Sequence, residues 1–173
     1  MDISISAGRP EDLPALAAIY DHDIVTSHAT FVVEPLSDET LRAWFDGFGE
    51  CGRHRLFVAR DDGRVLGYAS SSTYRPRAAY APSVETSVYL DEGATGRGIG
   101  TALLSTLIAE LEAEDVHSAY AGIAQPNAAS VRLHERVGYR HVGTFTEQGR
   151  KFGRYWDVAW YERRFQNHRD EEA

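Results

Sequence analysis

Residues 83–111 read SVETSVYL, then DEGATGRGIGT, then ALLSTLIAEL. An alternating, β-branched strand enters a glycine-rich turn, and the turn opens directly into an amphipathic helix. Gly96, Gly98 and Gly100 leave the backbone free to curl. Successive N–H groups can then point into one small volume at the helix N-terminus, which is an anion site well suited to phosphate. Arg97, inside the turn, adds a formal positive charge. The stretch therefore predicts a phosphorylated cofactor. The bland alternative is a glycine-rich turn that binds nothing.

Spelling separates the known phosphate loops. A P-loop ends in Gly-Lys-Ser/Thr, but Gly100 is followed directly by Thr101. A Rossmann fingerprint beginning at Gly96 needs a third glycine where Thr101 stands, and it normally follows a domain's first strand. Thr95-Gly96-Arg97-Gly98-Ile99-Gly100 resembles instead the pyrophosphate turn of GNAT acetyltransferases, Gln/Arg-x-x-Gly-x-Gly/Ala. Thr95 departs from it at the first position, which removes one side-chain contact and leaves the backbone cradle intact.

The length of 173 residues is that of one domain, and a single domain over 1–166 with a polar tail at 167–173 is expected. The net charge of −8 argues against nonspecific nucleic-acid binding. A single cysteine, Cys51, excludes an intrachain disulfide and a thiolate metal cluster. The histidines show no paired ligand spacing, so no metal is expected. The N-terminus lacks a signal pattern, and no apolar run approaches membrane-spanning length, so a cytoplasmic location and no membrane partner are expected.

Outward from the turn, the pattern reads strand, two helices, three strands, helix, strand, helix, two strands. The first helix, opened by Arg9-Pro10-Glu11-Asp12, carries Leu13, Leu16, Ala17, Tyr20 and Ile24 on one face. Ser37 caps the second helix, Asp61-Asp62-Gly63 makes a hairpin turn, and the third helix is predicted from Gly98 to about Glu114. This is an α/β layer fold. The order matches the GNAT fold along essentially the whole chain: a mixed, mostly antiparallel sheet of about seven strands flanked by about four helices.

The resemblance implies an acetyl-CoA-dependent N-acetyltransferase that releases coenzyme A as product. Gly96, Arg97, Gly98, Ile99, Gly100 and Thr101 would hold the pyrophosphate. The pantetheine arm would lie along Val88-Tyr89-Leu90, with the Val88 N–H facing the thioester oxygen. A second family block, Asn-x-x-Ala/Ser then Leu-Tyr/His before Gly-Phe/Tyr, is matched by Asn127, Ser130, Leu133-His134 and Gly138-Tyr139. Asn127 can cap its helix and also bond the cofactor arm, and Ser130 lies one turn on. His134 stands where the family's thiolate-protonating tyrosine is usual and could do that work near neutral pH. A merely packed histidine is the alternative.

Glu85 interrupts a β-branched strand, where an acid is unfavourable unless it faces water or a site. A protonated amine has no lone pair to attack with, so Glu85 is the candidate general base. A solvent-facing strand residue is the alternative. Tyr74-Arg75-Pro76-Arg77, Val84-Glu85-Thr86-Ser87-Val88-Tyr89 and Gly149-Arg150-Lys151-Phe152-Gly153-Arg154-Tyr155-Trp156-Asp157 resemble the phosphinothricin and methionine sulfoximine N-acetyltransferases within the GNAT family. That branch implies a small amino-acid substrate, direct transfer in a ternary complex, a role in herbicide or antibiotic resistance, and a homodimer formed through residues 149–156. Arg75, Pro76 and Arg77 would take the anionic end of the substrate, although a plain surface turn reads the same. Phe31, Glu85 and Lys151 would complete the pocket. The other readings are an acetyltransferase for another small amine or a protein N-terminus, and a catalytically silent acetyl-CoA-binding domain.

Overall fold

The computed structural model describes residues 3–165. The expected polar tail at 167–173 lies outside the described residues. Seven strands form one sheet: β1 (Ile3–Ala7), β2 (Leu56–Asp61), β3 (Arg64–Thr73), β4 (Ser83–Leu90), β5 (Ser118–Ala124), β6 (Arg140–Lys151) and β7 (Arg154–Arg164). Their order across the sheet is β1-β2-β3-β4-β5-β7-β6. Neighbours pair antiparallel except β4 and β5, which run parallel. The described α-helices are α1 (Leu13–Thr26), α2 (Asp38–Asp46), α3 (Ile99–Leu111) and α4 (Ala128–Arg136). The mixed, mostly antiparallel α/β architecture expected from the sequence is the one observed.

Period-2 alternation sorts side chains to two cores. On β2, Phe57 and Ala59 join α3's Leu103, Leu104, Leu107 and Leu111 on one face. Leu56 and Val58 join Leu16 and Ile19 of α1 and Tyr68 of β3 on the other, with Trp44 and Phe45 of α2 packed against them. β4 follows the same rule. Val84, Val88 and Leu90 belong to the α3 side, whereas Tyr89 packs on the α1–α2 side. Glu85 and Ser87 share Tyr89's parity and so its face.

Helix ends differ slightly from the expected ones. Gly98 is not the first helical residue but the N-cap of α3, held left-handed at φ 79°. Residues 112–114 form turns beyond Leu111 rather than a fourth helical turn. α1 begins after a short 3₁₀ turn at Pro10–Asp12. Its buried residues are Leu16, Ile19 and Ile24. Ile19, outside the expected apolar set, is buried, whereas Leu13 and Ala17 are half-buried.

A buried ion pair fixes the start of α1. Asp12 and Arg60 are 7% and 8% exposed. Arg60 Nε donates to Asp12 Oδ1 at 3.0 Å, and a second guanidinium N–H bonds Asp12 Oδ2. Arg60 also donates to Ser6 Oγ at 2.8 Å, and the Arg9 N–H donates to Asp12 at 2.6 Å. The ion pair thus ties β2, through Arg60, to β1 and to the start of α1. Removing one partner strands the other charge in a dry site. Asp12→Ala should therefore cost about 3–5 kcal/mol of folding stability in urea denaturation. A loss below about 1 kcal/mol, the scale of an exposed pair, would contradict this.

Candidate active site

The parallel pair β4–β5 is joined only from Ser83–Ser118 to Glu85–Tyr120, although the strands continue to Leu90 and Ala124. Beyond Glu85 they separate and open a wedge. Thr86 stands at the vertex. Its Oγ1 donates to Tyr120 O at 3.3 Å and lies 2.7 Å from the Tyr139 hydroxyl. The wedge is one side of a cleft of about 440 Å³, which also reaches Gly96, Gly98, Thr101, Asn127, Ser130 and His134. The strand, the glycine turn and the α4 motif, separate in sequence, meet there.

Gly96 and Gly98 hold φ values of 71° and 79°, and a Cβ built on either meets nothing within 4 Å. Conformation rather than crowding requires glycine, and open space lies above both. The first N–H groups of α3 point to that end with no intrahelical acceptor. Gly100 has a different reason. A Cβ there would sit 2.6 Å from Leu133 Cδ1, so it permits α3 to approach α4. Ile99 is 3% exposed and packs in the core, leaving only its backbone for a ligand. Arg97 is exposed and is not among the cleft-lining residues. Arg132 and Arg136 of α4 line the cleft instead. Their spacing of four residues could have signalled a shared helix face.

Asn127 caps α4, accepting the Ser130 N–H at 3.1 Å, and also lines the cleft. His134 is 4% exposed. Its Nδ1 lies 2.8 Å from the Ser130 carbonyl oxygen and 3.3 Å from Ser130 Oγ. A carbonyl oxygen only accepts, so Nδ1 carries the proton and Nε2 of the neutral ring is a bare acceptor. Nε2 is buried without a protein partner. Burial pushes the imidazole below its ordinary 6.5, against a smaller upward pull from Ser130. The expected near-neutral donor is thus, at pH 7, a neutral ring that accepts.

Glu85 is half-buried at the last β4–β5 pair, next to the wedge but not among the residues that line the cleft. Burial raises its carboxyl above the ordinary 4.5, and the charge of Arg75 partly offsets this. Arg75 stacks on Tyr74, 5.1 Å from the ring centroid, within the electrostatic reach of Glu85. Arg75, Pro76 and Arg77 are all exposed and line a shallow groove with Cys51 and His54, outside the cleft. Lys151 corrects the expectation of a substrate ligand. It is 4% exposed, and its ammonium donates to the Ser27 and Thr30 carbonyls at 2.7 Å each, with Asp23 O at 3.4 Å. It clamps the loop after α1 rather than facing a ligand. Phe31 on that loop packs on Gly149, where a Cβ would fall 2.5 Å from its ring.

Sequence reasoning missed Asp23, which lines the cleft beside Ser27 and Tyr89. Burial raises its carboxyl, and His22 and Lys151 pull it back. Its place on α1's apolar side was the available signal. Among the described residues no helix is long and apolar enough to cross a membrane.

A family model described as "Acetyltransferase (GNAT) domain" matches residues 5–160. The chain belongs to the GNAT acetyltransferase family. It is an N-acetyltransferase, and its similarity runs to one branch. A Streptomyces coelicolor protein named phosphinothricin N-acetyltransferase is 54% identical over 164 residues, 94% of this chain and 96% of that one. A Pseudomonas paraeruginosa protein named L-methionine sulfoximine/L-methionine sulfone acetyltransferase is 36% identical over 159 residues, 92% of each. The solved phosphinothricin acetyltransferase of Sinorhizobium meliloti, in complex with acetyl-CoA, superposes with a TM-score of 0.91 at 30% identity, covering 100% of this chain and 95% of that one.

The histidine geometry gives a direct check. Nitrogen-15 spectra should find His134 neutral at pH 7 with its proton on Nδ1, titrating below 6.5. A midpoint at or above that value, or the Nε2–H form, would contradict the arrangement.

Proposed function

We propose that the cleft binds acetyl-CoA and that the enzyme moves its acetyl group to the α-amine of a small amino acid, directly, in a ternary complex. The observation that carries this reading is the half-buried carboxylate of Glu85 at the last β4–β5 pair, beside a wedge that runs to the glycine turn at the N-terminus of α3. The residues fit the cofactor. The open space over Gly96 and Gly98, the free N–H groups of α3 and the guanidinium groups of Arg132 and Arg136 suit a pyrophosphate. The unpaired β4 edge at Val88 offers backbone groups to a pantetheine arm. Bound acetyl-CoA would supply an acetyl group activated as a thioester.

Glu85 accepts a proton from the substrate ammonium and leaves a neutral amine able to attack. Burial suits it to this work, because a raised carboxyl is a stronger base. The Val88 N–H is the candidate donor to the developing oxyanion. His134 lies on the same cleft and, with Nδ1–H bonded to Ser130, protonates a leaving thiolate only from its imidazolium form. Cys51 is exposed in a different groove, which fits direct transfer without an acyl-enzyme. Arg75, next to Glu85, is the candidate partner for the substrate carboxylate. The exposed positions of Arg75 and Arg77, outside the cleft, favour a second reading, a less selective acetyltransferase for small amines.

The names of the relatives support an acceptor of the phosphinothricin or methionine sulfoximine type and a role in resistance to such compounds. A homodimer through β6 and β7 is part of the proposal. Phe145, Phe152 and Tyr155 are 60%, 55% and 56% exposed there. Arg154 lies 3.9 Å from the Trp156 ring centroid, and Trp156 stacks on His28. Exposed aromatics with arginine match interface composition.

Thiol release from acetyl-CoA across amino acids and simple amines tests the reading. Amino acids should react and decarboxylated analogues should react far more slowly; equal rates would leave the less selective enzyme, and no release at all a silent domain. Glu85→Gln should lower kcat roughly a hundredfold or more with coenzyme A affinity kept. In the unsubstituted enzyme kcat/KM should rise with pH through a group titrating above 4.5, since the base must be ionised. A fully active Gln variant would remove Glu85 from the mechanism. Light scattering at micromolar concentration should return twice 19.3 kDa; the monomer mass would refute the dimer.

A further inference from the structure

We infer that the closed end of the β4–β5 wedge measures the acyl group of the donor, and that the hydroxyl pair Thr86–Tyr139 is the stop that favours acetyl over longer acyl chains. The inference deepens the acetyl-CoA reading above and rests on it.

The cleft is closed at one end. The glycine turn lines it on one side of Val88, and Thr86 and Ala121 line it on the other. Past Thr86 the sheet is shut. Glu85 pairs with Tyr120 and Val84 with Ala119, and Val84 and Ala119 are wholly buried in the main core. A donor held by its pyrophosphate at the turn and by its thioester at Val88 therefore points its acyl end at Thr86. Thr86 and Val88 share one face of β4. They stand two residues apart, about 7 Å along a strand. Carbon atoms in contact need about 3.5–4 Å, so the interval admits one or two carbons beyond a carbonyl at Val88. A longer chain must push Thr86 aside.

Thr86 is not free to move. Its hydroxyl has one proton, which goes to Tyr120 O at 3.3 Å. The Tyr139 hydroxyl, 2.7 Å from Thr86 Oγ1, is therefore the donor of that contact. Burial raises the Tyr139 phenol above its usual range, so the proton stays on the ring oxygen. Thr86 and Tyr139 are both buried. A second rotamer at Thr86 would strand the Tyr139 hydroxyl in a dry core, where an unmet donor is costly. Tyr139 is itself anchored. Its N–H donates to the His134 carbonyl at 3.1 Å, and the His134 ring meets it edge-on at 5.1 Å. The end of α4 thus holds Tyr139, Tyr139 holds Thr86, and Thr86 meets the acyl group. Tyr139 is a positioning residue in this arrangement and does not line the cleft.

The test uses the full chain and one amino-acid acceptor at fixed concentration, and compares kcat/KM for acetyl-CoA and butyryl-CoA. One surplus methylene in a tight pocket costs about ten- to two-hundredfold, so acetyl-CoA should be favoured at least tenfold. Equal use of both donors would overturn this inference alone. No turnover with either would overturn the acetyl-CoA reading and this inference with it. Two variants locate the stop. Thr86→Ala should raise the butyryl-to-acetyl ratio at least tenfold by shortening the side chain that meets the donor. Tyr139→Phe removes only the hydroxyl that fixes Thr86, and should raise the same ratio at least threefold in a protein with the unsubstituted circular dichroism spectrum. A role in folding alone would lower both rates together and leave their ratio unchanged. An unaltered ratio in Tyr139→Phe would overturn the assignment of the hydroxyl pair, whatever Thr86→Ala does.

Discussion

The parting of β4 from β5 after Glu85 is the constraint on which the site depends. Parallel neighbours in a sheet ordinarily continue their ladder, and an abandoned ladder leaves backbone N–H and C=O groups without partners. Here the loss is tolerated because the groups face a cleft rather than a core. Thr86, bonded to Tyr120 O and close to the Tyr139 hydroxyl, holds the vertex closed. Past it, α3 and α4 bound the cleft, and Gly100 lets these two helices approach. The same parting places Glu85, the last paired residue, at the apex. A half-buried carboxylate, an open strand edge and a cleft that runs to the N-terminus of α3 therefore follow from one departure from regular pairing.

β4 separates two environments by parity. Its even residues pack toward α3 and the large core, and its odd residues face α1 and α2. The odd set, Glu85, Ser87 and Tyr89, is polar or amphipathic. Tyr20 of α1 and Tyr68 of β3 pack against Tyr89, and burial keeps the hydroxyls of Tyr68 and Tyr89 protonated. The loop after α1 is held against this face by Lys151, which reaches from the end of β6 to the carbonyls of Ser27 and Thr30. A buried ammonium on backbone carbonyls is a structural clamp, and here it shapes the floor of the cleft from a distance in sequence.

Much of this was legible along the chain. Strand, turn and helix at 83–111 follow from alternation and glycine placement, because those signals are local. Asn127 and Ser37 announce their helices as caps for the same reason. The site was legible in part. Glu85 stood out as an acid in a β-branched strand. Asp23, Arg132 and Arg136 did not, because charged residues on amphipathic helices usually face water. Lys151 and the Arg75–Arg77 run show the opposite failure. Their charge suggested a ligand, but only the fold reveals that Lys151 is held by carbonyls and that the Arg75–Arg77 run lines another groove. For His134 the sequence left a packed ring and a proton donor both open, because its burial depends on how closely α4 packs against the sheet.

Coenzyme A titration calorimetry, on the unsubstituted chain and on Gly98→Val, tests the account's central claim most directly. The unsubstituted chain should bind with one-to-one stoichiometry per chain. The β-branched residue cannot comfortably hold the left-handed backbone at position 98, so the variant should keep its circular dichroism spectrum and lose measurable binding. Unchanged affinity in a folded Gly98→Val protein would contradict the claim that the turn and the opened β4 edge form the cofactor site.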